Sequence, residues 1–286
     1  MSAPEATFPL APEAREIRGP SAFGGGLRRF LYLTWMIGLT EYRLTYFGSA
    51  LGYLWSLMRP LMLFGVLYVV FSQVLKFGDD VRNYPVLLLL NIVLFSFFSD
   101  AATRSLTAVV DNEQIVRKMH FPRIVIPLSC VLTATFTMLV NLVAVFVFLL
   151  VYGVDPRWTW LLLPLILLPL ILITAGAAMI LSSLYVRFRD VSPIWLVLST
   201  ALFYATPVLY PVDKVPEDFQ RLALANPIAD LLQQARRWIV DPSAQGAFDV
   251  IGGLPWALIP SVVFLGICIL GFVVFDRQAP QIAEQL

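Results

Sequence analysis

The densest polar stretch inside this apolar chain is Asp-Asn-Glu-Gln-Ile-Val-Arg-Lys-Met-His-Phe-Pro-Arg, residues 111–123. Its residue types do not make or break bonds; they build a short helix that can dock. Asn112 can accept hydrogen bonds from the free N–H groups at the start. Glu113 sits at the positive end of the helix dipole, and Arg117, Lys118 and His120 sit at the negative end. Gln114 lies within the stretch, Phe121 closes it, and Pro122 ends the helix. Ile115, Val116 and Met119 form one apolar face. A rigid helix of about two turns therefore projects between two membrane-length runs with a face to seat against something. The same residues also fit an ordinary cytoplasmic loop whose positive charge fixes topology.

Little else in the chain has the makings of a reaction. Asp100 and Arg104 lie four apart and can pair on one helix face. The three lysines follow Leu75, Arg117 and Asp213, so no Gly-Lys-Ser/Thr phosphate loop can be formed. Gly-x-Ser-x-Gly and His-Glu-x-x-His are both absent from the sequence, which removes two common hydrolase signatures. One histidine and two cysteines, Cys130 and Cys268, inside apolar runs give no metal-ligand spacing and no disulfide framework. No catalytic residue, metal or bound cofactor is expected in this chain. An ion-driven pump carries more ionisable groups in its spans. If the chain moves something uphill, its energy enters from a partner, and the capped helix is the natural docking surface.

These residues have to be held by membrane helices. The chain has 286 residues, 59% hydrophobic and 14% charged, far from the composition of soluble domains. Six runs reach or approach the ~20 apolar residues that cross a bilayer, at about 54–75, 85–110, 124–152, 159–185, 191–210 and 254–275. The expectation is an all-α polytopic membrane protein with a transmembrane domain over 27–275. A Pro/Ala/Glu-rich tail, 1–26, precedes it and a short tail, 276–286, comes after it. Residues 27–47 read as a helix in the interface plane; a tilted membrane span is the alternative, and the charges of Glu41 and Arg43 weigh against it. Thr34, Gly38, Glu41 and Thr45 form one polar stripe on it, and Arg28, Arg29 and Arg43 flank it. Arg59 is expected to snorkel to the cytoplasmic surface. The patch Ala175-Gly176-Ala177-Ala178 suits close helix packing.

The fifth run does not end cleanly. Pro207, Pro211 and Pro216 punctuate the residues beyond its apolar part, and Asn226-Pro227 reads as an N-cap with Pro at the first helical position. Ile228, Leu231, Leu232, Ala235, Trp238 and Ile239 then form an apolar stripe, with Asp230, Gln233, Gln234, Arg236 and Arg237 off it. Two helical pieces too short to span predict a re-entrant hairpin, which must be surrounded by protein or line a water-filled cavity. An extracytoplasmic loop with one surface helix fits the same residues. With both termini cytoplasmic, seven of the 20 lysines and arginines fall outside: Lys76, Arg82, Arg157, Lys214, Arg221, Arg236 and Arg237. The excess on the other side supports that orientation and puts the capped helix in the cytoplasm.

Several segments resemble one family when taken together and in order. They are Arg43-Leu-Thr-Tyr-Phe-Gly-Ser-Ala-Leu-Gly-Tyr-Leu-Trp-Ser-Leu-Met-Arg-Pro60; Asn112-Glu-Gln-Ile-Val-Arg-Lys-Met-His-Phe-Pro-Arg-Ile-Val-Ile-Pro127; Arg187-Phe-Arg-Asp190; and Thr206-Pro-Val-Leu-Tyr210 followed by Asn226-Pro227. The chain resembles the permease subunit of type-2 ABC exporters of polysaccharide, the transporters of lipid-linked O antigen, teichoic acid and galactan. The resemblance implies that 27–47, with Arg28, Arg29, Glu41 and Arg43, lies on a nucleotide-binding subunit. It makes 112–122 the coupling helix and its approach, and about 204–239 a pair of gate helices. It implies a homodimer with two ATP-binding subunits that hold ATP and Mg, in the cytoplasmic membrane of a bacterium, among membrane lipids and without nucleic acid. Trp195, Phe203, Tyr204, Pro207, Tyr210, Asn226 and Pro227 would line the glycan path or its gate. Aromatic rings there can stack on sugar faces; at a membrane interface they also serve simply as anchors. Two other readings stay open: the same machinery with a drug or heme as cargo, and a membrane glycosyltransferase, for which the acidic residues are too scattered.

Overall fold

A computed structural model describes residues 26–46, 52, 54–76, 81–114 and 121–279. The expected tail up to Gly25, residues 280–286, and Ile115, Val116, Arg117, Lys118, Met119 and His120 of the polar stretch lie outside the described residues. The protein is an all-α polytopic membrane protein. Among the described residues, five helices are long and apolar enough to cross a membrane.

The central element is α3, Tyr84–Asp111. From Tyr84 to Phe95 every residue is buried, the mark of a helix enclosed by protein, and α3 packs against α4, Val125–Val151, and α5, Leu163–Arg187. Pro85 opens it at the position where a missing N–H costs nothing. Around this core stand α2, Leu54–Tyr68, which continues as a π-helical turn over Val69–Val74, and α10, Leu254–Gln278. The outer helices are mostly uncovered by the rest of the chain, as a lipid-facing ring requires. The last helix runs on into the expected tail as far as Gln278, because fully buried Phe275 holds its final turns against the core.

Two helix contacts explain sequence features. A Cβ at Gly176 of α5 would lie 2.8 Å from the Ile267 carbonyl oxygen of α10, so the small-residue patch is where two backbones cross. On α1, Leu27–Tyr46, Thr34, Gly38 and Glu41 of the polar stripe turn inward, and Thr45 stays exposed. Thr133 of α4 donates to the Gly38 carbonyl at 3.0 Å, while Leu31, Tyr32 and Leu44 face outward. An apolar face turned away from the protein suits a helix lying at a lipid surface.

The fifth expected span, 191–210, is corrected. Helix α6 covers only Val191–Ala205, about 22 Å at 1.5 Å per residue, short of the ~30 Å hydrocarbon core. Pro207 forces Thr206 into extended backbone, with ψ 137°, and the helix cannot continue. Two short helices come next: α7, Glu217–Leu224, and α8, Pro227–Ala235, which continues as a π-helical turn over Arg236–Val240. A turn with Gly252 and Gly253 at positive φ, after the five-residue α9, Ala247–Ile251, leads into α10.

Candidate functional site

A groove of about 560 Å³ runs between α2, α3, α4 and α6. Trp55, Phe95, Phe203 and Tyr204 supply its aromatic walls, and Arg59, Asp100, Arg104 and Asn141 its charged and amide groups. Hydroxyls of Ser56, Ser96, Ser99, Thr137, Ser199 and Thr200 fill the space between them. Phe203 meets Phe95 with ring centroids 5.3 Å apart and Tyr204 at the same separation, both nearly edge to face. Tyr204 is 59% exposed, so its ring face is free for a ligand. Trp55 and Phe95 carry no sequence signal that separates them from other aromatics in the spans.

Two sequence readings change here. Asp100 does not pair with Arg104; its carboxylate is met by Arg59 from the facing helix at 3.3 Å. Arg59 is therefore a groove residue as well as a surface one. Trp195, expected beside Phe203 and Tyr204, turns into the core instead. It is 6% exposed, its indole N–H donates to Thr103 Oγ1 at 2.9 Å, and its ring rests against Phe98. A helix rotates about 100° per residue, so residues eight and nine positions further along the same helix can face the groove while Trp195 does not. The side-chain amide of Asn112 donates to the Ala108 carbonyl at 2.9 Å at the end of α3, a contact that the sequence reading does not assign.

Above the groove, residues 206–212 cross the protein, without helix as far as Pro211 and entering a short 3-10 turn at Val212. Their carbonyls are held from α3: Asn91 Nδ2 donates to Pro207 O at 3.3 Å and Val208 O at 3.2 Å, and Tyr84 Oη donates to Leu209 O at 2.8 Å. Tyr210 Oη donates back to the Tyr204 carbonyl at 3.1 Å. Asn226 caps α8 as expected, accepting from the Ile228 N–H at 3.0 Å, and its amide donates to Thr206 Oγ1 at 2.9 Å. The start of α8 is thereby tied to the end of α6. Pro227 is buried at the first helical position. Asn91 and Tyr84 escape a linear reading, because one polar side chain disappears in a hydropathy window.

The buried side of α8 also differs from the expected stripe. Gln233 and Arg236, placed off it, are 3% and 6% exposed. Gln233 donates to the Gln245 carbonyl at 2.7 Å, and Arg236 pairs with Asp213 at 2.7 Å. The enclosed arc of this helix is wider than its apolar stripe, and the two polar side chains are tolerated there because each has a partner. Asp230, on the first turn of α8, has its carboxyl pushed up to about 6 by burial.

At the opposite end, Phe121 and Pro122 are buried. Phe121 belongs to a second apolar cluster with Phe30 of α1, Val186 of α5 and Phe275 of α10. Arg123 is buried and donates to the Ala279 carbonyl just past α10; burial lowers its pKa. Burial also raises the carboxyl pKa of Glu41, against the opposing effects of Thr133 and the charge of Arg104. Arg28, Arg29 and Arg43 are exposed, and Gln114 is exposed at the edge of the described segment.

The ABC-2 type transporter family matches residues 32–240. This chain belongs to that family. The O-antigen export system permease protein RfbA of Klebsiella pneumoniae is 32% identical over 249 residues, 86% of this chain and 92% of the relative. RfbA of Myxococcus xanthus is 31% identical over 194 residues, covering 67% and 74%. The polysialic acid transport protein KpsM of Escherichia coli is 24% identical over 211 residues, covering 71% and 79%. For an ABC-2 family member, the match takes in the groove, the 206–212 crossing and both short helices.

Proposed function

We propose that this chain is the permease subunit of an exporter that moves lipid-linked polysaccharide, such as O antigen, galactan or teichoic acid, across the cytoplasmic membrane of a bacterium. The observation that carries the reading is the groove, where aromatic faces alternate with hydroxyl, amide and charged groups. A sugar ring has the matching character, with an apolar face for stacking and a rim of hydroxyls for hydrogen bonds. The names of the relatives support the same cargo class.

Two copies of the chain enclose the path, and two separate ATP-binding subunits supply the energy with ATP and Mg. Both termini and residues 111–123 lie in the cytoplasm, where the coupling helix expected from the sequence falls within 112–120. The residues that follow it are joined to α1 and α10 through the cluster of Phe121, Phe30 and Phe275. Movement of the ATP-binding subunit is therefore passed to several helices together. At the outer mouth, α7 and α8 act as the gate, and the 206–212 crossing is its hinge to the groove.

Deleting the gene tests this reading. Surface polysaccharide disappears and returns when the chain is restored with its ATP-binding partner. The variants Ile115→Asp and Met119→Asp, on the docking face, restore neither export nor partner binding. Unchanged surface glycan after deletion, sugar transfer by the purified chain, or labelling of Gln114 from outside the cell overturns it.

A further inference from the structure

Two arginines and one carboxylate meet inside the groove. Arg59 of α2 and Asp100 of α3 are paired at 3.3 Å. Arg104, one turn further along α3, lines the same space and makes no ion pair among the described residues. Asn141 of α4 closes the far side. It is 8% exposed, and its Oδ1 has no hydrogen-bond partner among the described residues. Thr137, Asp100, Arg104 and Asn141 also bound a small recess behind the main groove. A buried acceptor without a donor carries a desolvation penalty, so a ligand hydroxyl that fills this place is favoured.

We propose that Arg59, Asp100, Arg104 and Asn141 form a recognition subsite for an anionic group, phosphate or carboxylate, carried next to sugar hydroxyls. The inference rests on the permease reading and adds the group that the groove selects. The guanidiniums are the attractive element. Arg104 lines the space with no carboxylate in direct ion-pair contact among the described residues, although Glu41 of α1 feels its charge, and Arg59 is held in place by a carboxylate that an incoming anion can displace. Guanidinium forks match the oxygens of phosphate and carboxylate. Asp100 has the second role of excluding anions that bring no compensating contacts, since they must break its pair with Arg59. Asn141 supplies what a simple ion lacks, an acceptor for a neighbouring hydroxyl. The anion can come from the phosphate that joins a glycan to its lipid or from acidic groups on the glycan itself.

The test uses the chain with its ATP-binding partner in lipid nanodiscs and measures affinity for four probes: glucose, glucose 1-phosphate, glucuronate and geranyl phosphate. Glucose 1-phosphate or glucuronate is expected to bind more tightly than glucose. Arg59→Gln and Arg104→Gln are each expected to weaken the charged probes about tenfold, the size of one charge-assisted hydrogen bond, and to leave glucose unchanged. Arg59 is 77% exposed at its side chain, so its replacement leaves folding intact. Asn141→Leu is expected to keep or raise the thermal midpoint while weakening glucose 1-phosphate more than geranyl phosphate, an outcome that a purely structural role does not give. Tighter binding of geranyl phosphate than of glucuronate assigns the anion to the lipid end; the reverse assigns it to the glycan. Equal affinity for glucose and glucose 1-phosphate, or wild-type affinities in all three variants, overturns the subsite. Export of surface polysaccharide is scored in parallel. If the variants bind and export as wild type does, the subsite falls and the permease reading stands. If the wild-type complex supports no export, the permease reading itself falls.

Discussion

Asn91, on the most enclosed helix of the protein, donates its side-chain amide to the carbonyl of Pro207 at 3.3 Å, and also to that of Val208. Irregular backbone between apolar helices needs such donors, because no water in the bilayer core can replace them. One amide thus maintains the crossing that links the groove to the short helices above it. Asn91→Leu removes both bonds and leaves two carbonyls without their donor, a cost of about 1–3 kcal/mol each where they stay buried. The expected result is a lower thermal midpoint and faster thiol labelling of a cysteine placed at Val208. Unchanged labelling in the variant shows that the crossing is held by other contacts.

The crossing of α5 and α10 gives a sharper comparison. Gly176 faces the Ile267 backbone with no room for a Cβ, whereas Gly266 of α10 has nothing within 4 Å of its ideal Cβ. Gly176→Leu is expected to separate the helices and destabilise the fold by about 1–3 kcal/mol or more. Gly266→Leu, the same change in apolar surface, is expected to leave yield and melting unchanged. Equal behaviour of the two variants in size-exclusion and thermal unfolding argues against the close crossing.

Trp195 and Tyr204 separate packing from function within one helix. Trp195→Phe loses the bond to Thr103 and is expected to cost about 1 kcal/mol of stability. Tyr204→Ala removes an exposed ring and is expected to leave stability unchanged while lowering export of surface glycan. The pair of assays, melting temperature and surface polysaccharide, must respond in opposite patterns. A Tyr204→Ala variant that exports normally removes this ring from the path.

These residues also mark the limit of what a linear reading carries. The long helices are legible because an apolar run of membrane length has few alternatives. The Asn226 cap is legible because its chemistry is local: the accepting oxygen and the donated N–H lie two residues apart. Asn91, Asn141 and Trp195 depend on which way a helix is rotated against its neighbours, and an almost uniformly apolar helix carries little phase information. The Arg59–Asp100 pair joins residues 41 apart in sequence, while the nearer candidate, Arg104, satisfies the spacing rule and not the geometry. Arg236 is buried because Asp213, 23 residues away in sequence, pairs with it, and a linear reading does not bring the two together.

Asp230 offers a pH test of how the start of α8 is enclosed. The helix N-terminus favours its charged form by about 0.3–1 kcal/mol, yet burial wins and raises the carboxyl from 3.8 to about 6. Between those two values the folded chain holds a proton that the unfolded chain has released. Stability is therefore greatest below the lower value and declines as pH rises through about 6, becoming insensitive to this group above it. Asp230→Asn keeps the neutral shape at every pH. The expected outcome is a variant whose thermal midpoint matches wild type near pH 4 and exceeds it at pH 7.5, with the difference opening across that interval. Taking the difference between the two proteins cancels the titration of every other carboxylate. A constant difference from pH 4 to 7.5 shows that Asp230 is hydrated and that the first turn of α8 lies open to solvent.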